Sequence, residues 1–372
     1  MQTHALSAQH SSAAFELHSF HFGPAGCKRA YIQASLHADE VPGMLVAQHL
    51  RNRLKALESA GKLRGEVVLV PAANPIGLSQ AIHGMPFGRF DLATGANFNR
   101  AYRHVAEELK LSLEGRLGQD AEANIRVIRR HAAAALAAWH PATDSESLKK
   151  TLLQLAIEAD IVLDLHCDNE AVMHVYAGTP LAAAIAPLAA LIGSQATLLA
   201  MAAGGEPFDE ACSRLWWDLA AHFGERYPIP PACLAATIEL RGEMDVCHQL
   251  AQGDAEALLR FLALNGIIDC PDLTAAPLPQ ALCAPSPLEA VEPLLAPHAG
   301  ILVYRQPLGA RVEAGAVLAE LIDPVTGETT ELRCQVAGIF FGRSAHRHVL
   351  RGMNVGKVAG RTAFRAGSLL SL

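Results

Sequence analysis

Apolar runs of strand length alternate with segments of helical period through the first 270 residues, and this alternation constrains the fold most. Residues 30–35 (AYIQAS) and 66–71 (EVVLVP) are strand-like, the second stopped by Pro71 and by Asn74-Pro75. Residues 161–165 (IVLDL), 172–176, 196–201 and 234–240 (LAATIEL) continue the pattern. Helical periods fall at 43–59, 119–139, 145–159, 181–191, 209–223 and 255–264, with Asp144 or Ser145 as the cap of the third. Residues 78–99 are Gly-rich and carry no period, as functional loops often do. Strands interleaved with helices predict an α/β fold with helices on both faces of one sheet. Some connections are too short for crossovers, so the sheet is expected to be mixed and mainly parallel.

The pattern breaks after Ile268. Residues 270–288 carry five prolines, which sets expected bounds of 1–270 for a catalytic domain, 271–290 for a linker and 291–372 for a small all-β domain. That last part repeats faintly: Ala299-Gly300-Ile301 returns as Ala337-Gly338-Ile339, with Gly315 and Gly352 following at nearly the same offset. Two halves of about 38 residues predict a pseudo-symmetric sandwich or barrel. The pattern resembles the biotinyl/lipoyl-type barrel-sandwich hybrid, whose carriers hold a lysine on the hairpin between the halves. Here that turn is Asp323-Pro324-Val325-Thr326-Gly327, and the tail's single lysine is Lys357, so the resemblance implies the fold without the carrier role.

With 51% hydrophobic and 18% charged residues, the chain has ample material for a core. A formal charge of −7 without a basic stripe argues against a nucleic-acid partner. No apolar run reaches about twenty residues, so no membrane span is expected. Residues 1–30 are polar and His-rich and do not read as a secretory signal. Eight scattered cysteines without a C-x-x-C pair fit reduced thiols in a cytoplasmic protein and give no support to a Cys-type zinc site.

Four clusters carry chemistry. His37 and Glu40 follow a strand at H-x-x-E spacing, which lets an imidazole and a carboxylate converge on one point. Among 17 histidines such a spacing also arises by chance. His166, in Asp164-Leu165-His166-Cys167-Asp168, lies at the end of another apolar strand; it reads either as a capped polar residue or as a third ligand. Strand carboxyl ends form the ligand crevice of open α/β sheets, so the clusters can meet there. His, Glu and His would make the three-ligand set of a catalytic zinc. Asp164 reads equally as a partner of the His166 ring or as an ordinary buried polar residue. Glu239 interrupts an apolar strand; the alternatives are an ion pair with Arg241 or Arg89, and a general base. Arg89, Asn97, Asn99 and Arg100 lie on the irregular segment and read as a solvated loop or as a clamp for carboxylate and oxyanion.

Taken in order, H-x-x-E, N-P, G-R-F-D, N-F-N-R, D-L-H and T-x-E-L resemble the succinylglutamate desuccinylase/aspartoacylase family, within the wider zinc-carboxypeptidase-like group, over about residues 28–265. The resemblance implies one Zn2+ per chain on His37, Glu40 and His166, with Glu239 as the catalytic glutamate. It implies that Asn99 and Arg100 contact a substrate carboxylate and that Arg89 polarises the scissile carbonyl. Members commonly have Asp-Leu-Asn-Arg where this chain has Asn97-Phe98-Asn99-Arg100. The expected substrate is a small molecule carrying a carboxylate, such as an N-acyl amino acid, cleaved at an amide or ester bond. A metallocarboxypeptidase acting on peptides and a non-catalytic zinc-binding scaffold are the alternatives. A homo-oligomer is compatible with all three.

Overall fold

The computed structural model describes residues 1–6 and 14–370; residues 7–13 and 371–372, which fall in the two expected domains, lie outside the described residues. Among the described residues a nine-stranded sheet runs in the order Gln2–Ala5, Glu16–Phe22, Glu66–Val70, Arg29–Ala34, Ile161–Asp168, Leu234–Gly242, His174–Gly178, Ala196–Ala200 and Ser286–Pro287. The pairings from Glu66–Val70 through Leu234–Gly242 are parallel, and His174–Gly178 adds antiparallel to Leu234–Gly242. The sheet is thus mixed and mainly parallel.

Side-chain alternation explains why helices cover both faces. Val67 and Leu69 join one core, and Val68 and Val70 join the other. Ile161, Leu163 and Leu165 likewise face away from Val162. Helices Pro42–Ser59, Ala182–Leu191 and His248–Leu264 close the first core with Leu50, Leu54, Leu188, Leu258 and Phe261. Helices Ala106–Ser112, Ala121–Ala137, Asp144–Ala156 and Phe208–Phe223 close the second with Leu109, Ile128, Leu152 and Trp216.

Several details differ from the sequence reading. The Asp144–Ala156 helix is capped by Thr143, whose hydroxyl accepts the Glu146 N–H at 3.1 Å, rather than by Asp144 or Ser145. The helix expected at 255–264 begins two turns earlier, at His248, and a short helix, Pro271–Thr274, follows it. The segment 78–99 contains a small hairpin, Ala81–Ile82 with Met85–Pro86. No helix among the described residues is long and apolar enough to cross a membrane.

The tail forms two antiparallel sheets around their own core, which includes Leu302, Leu318, Leu321, Phe340 and Val358. Its repeat is visible strand by strand. Gly300–Tyr304 pairs with Val317–Ile322 as Gly338–Arg343 pairs with Asn354–Ala359. Val291–Leu295 then edges Asn354–Ala359 as Thr329–Arg333 edges Val317–Ile322. His348–Val349 and Arg311–Val312 cross over to the opposite half. Two strand pairings help tie the tail to the large sheet. Ser286–Pro287 extends its edge, and Glu170–Ala171, just after the His166 strand, adds to Gly338–Arg343.

Candidate metal centre and cleft

The three parallel strands Arg29–Ala34, Ile161–Asp168 and Leu234–Gly242 end at one edge, and each delivers a site residue there. After Ala34 the chain turns through Ser35, which sits at φ 64°, a left-handed conformation uncommon for a non-glycine residue. A tight turn follows, with Glu40 N–H on the His37 carbonyl at 3.1 Å, before Pro42 starts the next helix. His37 and Glu40 therefore meet across a turn rather than along a helix. Asn74 secures this turn: its Nδ2 donates to the Leu36 carbonyl at 2.8 Å while its Oδ1 caps Gly77.

Gly88 is obligatory for the same reason. Its carbonyl accepts the Ala38 N–H at 3.0 Å, and a Cβ there would lie 2.2 Å from the Asp39 nitrogen. This approach carries Arg89 onto the site, where Nη1 donates to Glu40 Oε1 at 3.2 Å and lies 3.3 Å from His37 Nδ1.

His37, Glu40 and His166 converge. Glu40 Oε1 lies 2.8 Å from His37 Nδ1, and Oε2 lies 2.7 Å from His166 Nδ1. One ligand atom from each falls within 4.8 Å of the others, and all three residues are buried. The Cys167 N–H also donates to Oε2 at 3.0 Å. The outward ring nitrogens have partners of their own. His37 Nε2 lies 2.9 Å from Asn97 Oδ1, and Asp164 Oδ2 lies 3.0 Å from His166 Nε2. The second is a charge contact rather than an aligned hydrogen bond, since this oxygen has no hydrogen-bond partner. The other Asp164 oxygen accepts from Gln33 Nε2 at 2.9 Å, and Gln33 in turn accepts from Tyr31. Such outer partners fix which ring nitrogen faces a metal, here Nδ1 of both histidines.

The surrounding groups set the protonation of the three side chains. Burial would raise the Glu40 carboxyl, but the imidazoles of His37 and His166 outweigh it and hold it well below the usual range. Burial, aided by Arg89, pushes His37 down to about 4, so its imidazole is neutral and available as a ligand. Burial lowers His166 too, but Asp164 and Glu40 overcome it and hold that ring well above its ordinary value. Two nitrogens and a carboxylate oxygen, buried and mutually close, could hold a metal ion, and their types are those a three-ligand catalytic zinc takes.

Glu239 is in direct register with His166 on the neighbouring strand. Neither of the ion pairs considered for it forms: Arg241 is bidentate on Asp254, and Arg89 is on Glu40. Its Oε2 is buried without a partner. Burial and the nearby Glu40 carboxylate push its acid up to about 8. Asn99 Oδ1 accepts the Phe208 N–H at 2.9 Å, and its Nδ2 lies 3.5 Å from His166 Nε2. Arg100 is half-buried, and that burial, with Arg89 nearby, lowers its pKa.

His37, Arg89, Asn99, Arg100, His166 and Glu239 all line one cleft. The sequence reading missed three further residues on its wall. Asp168 had a signal, since it lies two residues after His166 and faces the same side. Tyr176 stands opposite Thr237 on the next strand. Lys357 arrives from the tail and pairs with Asp168.

The chain matches the family model described as succinylglutamate desuccinylase/aspartoacylase catalytic domain over residues 27–265. It is similar in structure to a succinylglutamate desuccinylase/aspartoacylase family protein from Shewanella amazonensis SB2B, at 28% identity and a TM-score of 0.82, covering 96% of this chain and 98% of the other. A counterpart from Shewanella frigidimarina NCIMB 400 shares 24% identity at a TM-score of 0.82, covering 96% of each chain. The ectoine utilization protein of Ruegeria pomeroyi has the same fold at 18% identity and a TM-score of 0.64, with coverage of 96% and 92%. Among curated proteins no sequence match is found.

Proposed function

Because the chain belongs to the succinylglutamate desuccinylase/aspartoacylase family, we propose that it is a zinc-dependent hydrolase of small N-acyl amino acids carrying a carboxylate, cleaving their amide (or ester) bond. One zinc per chain is held by His37, Glu40 and His166. When bound, the ion supplies Lewis-acid polarisation of the scissile carbonyl and acidifies water. The observation that carries the reading is the Glu239 carboxylate, whose Oε2 is buried without a hydrogen-bond partner, in register with His166 on the cleft wall.

Glu239 accepts the proton of the attacking water as general base from its place beside His166. It then returns the proton to the leaving amine. Arg89, with its guanidinium at the Glu40–His37 edge, stabilises the oxygen that gains charge as the carbonyl is attacked. Arg100 and the buried Asn99 amide orient the substrate carboxylate, and the partial burial of Arg100 strengthens that contact. Asp164 and Asn97 hold the two imidazoles in orientation.

Support for a small acyl amino acid over a peptide comes from the residues that follow the large domain. Leu288, Lys357 and Leu370 line the cleft and narrow the space an extended chain would need. The test is a hydrolysis panel with the zinc-loaded full chain: acetyl-aspartate, succinyl-glutamate, neutral N-acyl amino acids, and short peptides. Cleavage of N-acyl amino acids with a free carboxylate, in preference to peptides, is expected. Release of C-terminal residues from peptides alone would favour the carboxypeptidase alternative, and no cleavage of any member would remove the hydrolase reading.

A further inference from the structure

One part of the cleft wall comes from outside the large sheet. Lys357 lies on Asn354–Ala359, a strand flanked within the tail by Gly338–Arg343 and Val291–Leu295. Its side chain, 21% exposed, reaches out of the tail and lines the cleft with His37, His166 and Glu239. The tail is anchored at this point by other contacts. Glu170–Ala171 pairs with Gly338–Arg343, and Glu170 accepts from Arg343 Nε and Arg347 Nη2, each at 2.6 Å. Those anchors place Lys357 whether or not a ligand is present.

An ammonium has three N–H donors. One reaches Asp168 Oδ2, while Asp168 Oδ1 accepts the Asn169 N–H at 2.9 Å. The other two meet no protein acceptor among the described residues. A lysine in open solvent gives such donors to water, but this one shares the cleft wall with Leu288, Leu370 and Ala200. Partial burial makes a charge-assisted bond to an anion stronger there than at the surface. Asp168, fixed by its own backbone contact, holds the ammonium in one position.

We propose that Lys357 is a specificity-determining residue whose free donors bind a second carboxylate of the substrate, beyond the one assigned to Asn99 and Arg100. This rests on the cleft being an acyl amino acid site. The second carboxylate can belong to the amino acid or to the acyl group. Acetyl-aspartate and succinyl-alanine separate these cases, with acetyl-alanine as the monocarboxylate reference.

The test is calorimetric binding of these three ligands to the zinc-loaded full chain carrying Glu239→Gln, with and without Lys357→Met. One dicarboxylate is expected to bind more tightly than acetyl-alanine and to lose about 10- to 100-fold in affinity with Lys357→Met. Acetyl-alanine should change by no more than about 2-fold, which a merely structural role of the lysine would not give. Where the single variant unfolds, Asp168→Asn with Lys357→Met removes both charges together and should show the same differential loss. Equal loss for all three ligands, unchanged dicarboxylate binding, or no initial preference for either dicarboxylate overturns the proposal. Because binding is read, a chain that prefers a dicarboxylate yet hydrolyses nothing refutes the hydrolase reading and leaves this one standing.

Discussion

Glu239→Gln is expected to retain one zinc per chain while lowering kcat by about 10²- to 10⁴-fold, the range over which a positioned general base acts. The substitution keeps the size of the side chain and leaves the three-donor cluster intact, since Glu239 is no part of it. What it removes is the proton acceptor beside His166. Steady-state kinetics on a substrate found in the panel, with zinc measured on the same sample, check both halves. Full activity in the variant would take the base role away from Glu239.

The same substitution has a consequence for stability in the metal-free chain. Glu239 holds its proton up to about pH 8 in the folded state because of burial and Glu40, whereas an unperturbed glutamate releases it at 4.5. Across that window the folded state binds more protons than the unfolded state, so stability falls as pH rises. This contribution is fully present below 4.5 and lost as pH passes through about 8. A glutamine cannot ionise. Parent and variant should melt at similar temperatures near pH 5, and the variant should melt higher near pH 9. A parent whose stability rises through this window by comparison with the variant would contradict the assigned burial cost.

The second large effect concerns the metal itself. His37→Ala or His166→Ala removes a nitrogen donor and leaves Glu40 facing a single imidazole. Zinc affinity should fall by more than about 100-fold in each, beyond the 10- to 100-fold typical of losing an outer partner. Asp164→Asn and Asn97→Ala, which change groups that meet the ligand rings at their outward nitrogens, should fall inside that smaller range. Competition with a chelator of known zinc affinity ranks all four variants. If the alanine variants rank with the outer-partner variants, the ligand assignment fails.

The central strands were legible because they are buried on both faces. Glu66–Val70 and the start of Ile161–Asp168 read as continuous apolar runs, which few other structures require. Gln2–Ala5 and Glu16–Phe22 were not read as strands. They pair antiparallel at the sheet edge, and histidines sit at positions that a buried strand would fill with apolar side chains. Ala106–Ser112 spans only two turns, too few for a 3.6-residue period to stand out, and it is held by packing on Phe208–Phe223.

The site divides along the same line. His37, Glu40, His166 and Glu239 stand at strand ends, where polar residues after apolar runs signal a crevice. Their companion Asn97 was visible only as part of a loop, because its contact with His37 spans 60 residues and depends on the turn at Gly88. Lys357 had no local signal. Its contact with Asp168 spans 189 residues and exists only once the tail has folded and docked on the strand at Glu170–Ala171.

His37, Glu40 and His166 are proposed to hold one zinc. The most direct measurement is anomalous diffraction at the zinc edge from crystals of the zinc-loaded full chain. A single strong peak per chain between His37 Nδ1, His166 Nδ1 and the Glu40 carboxylate is the expected result. A peak elsewhere, or none at this point under saturating zinc, would contradict the account.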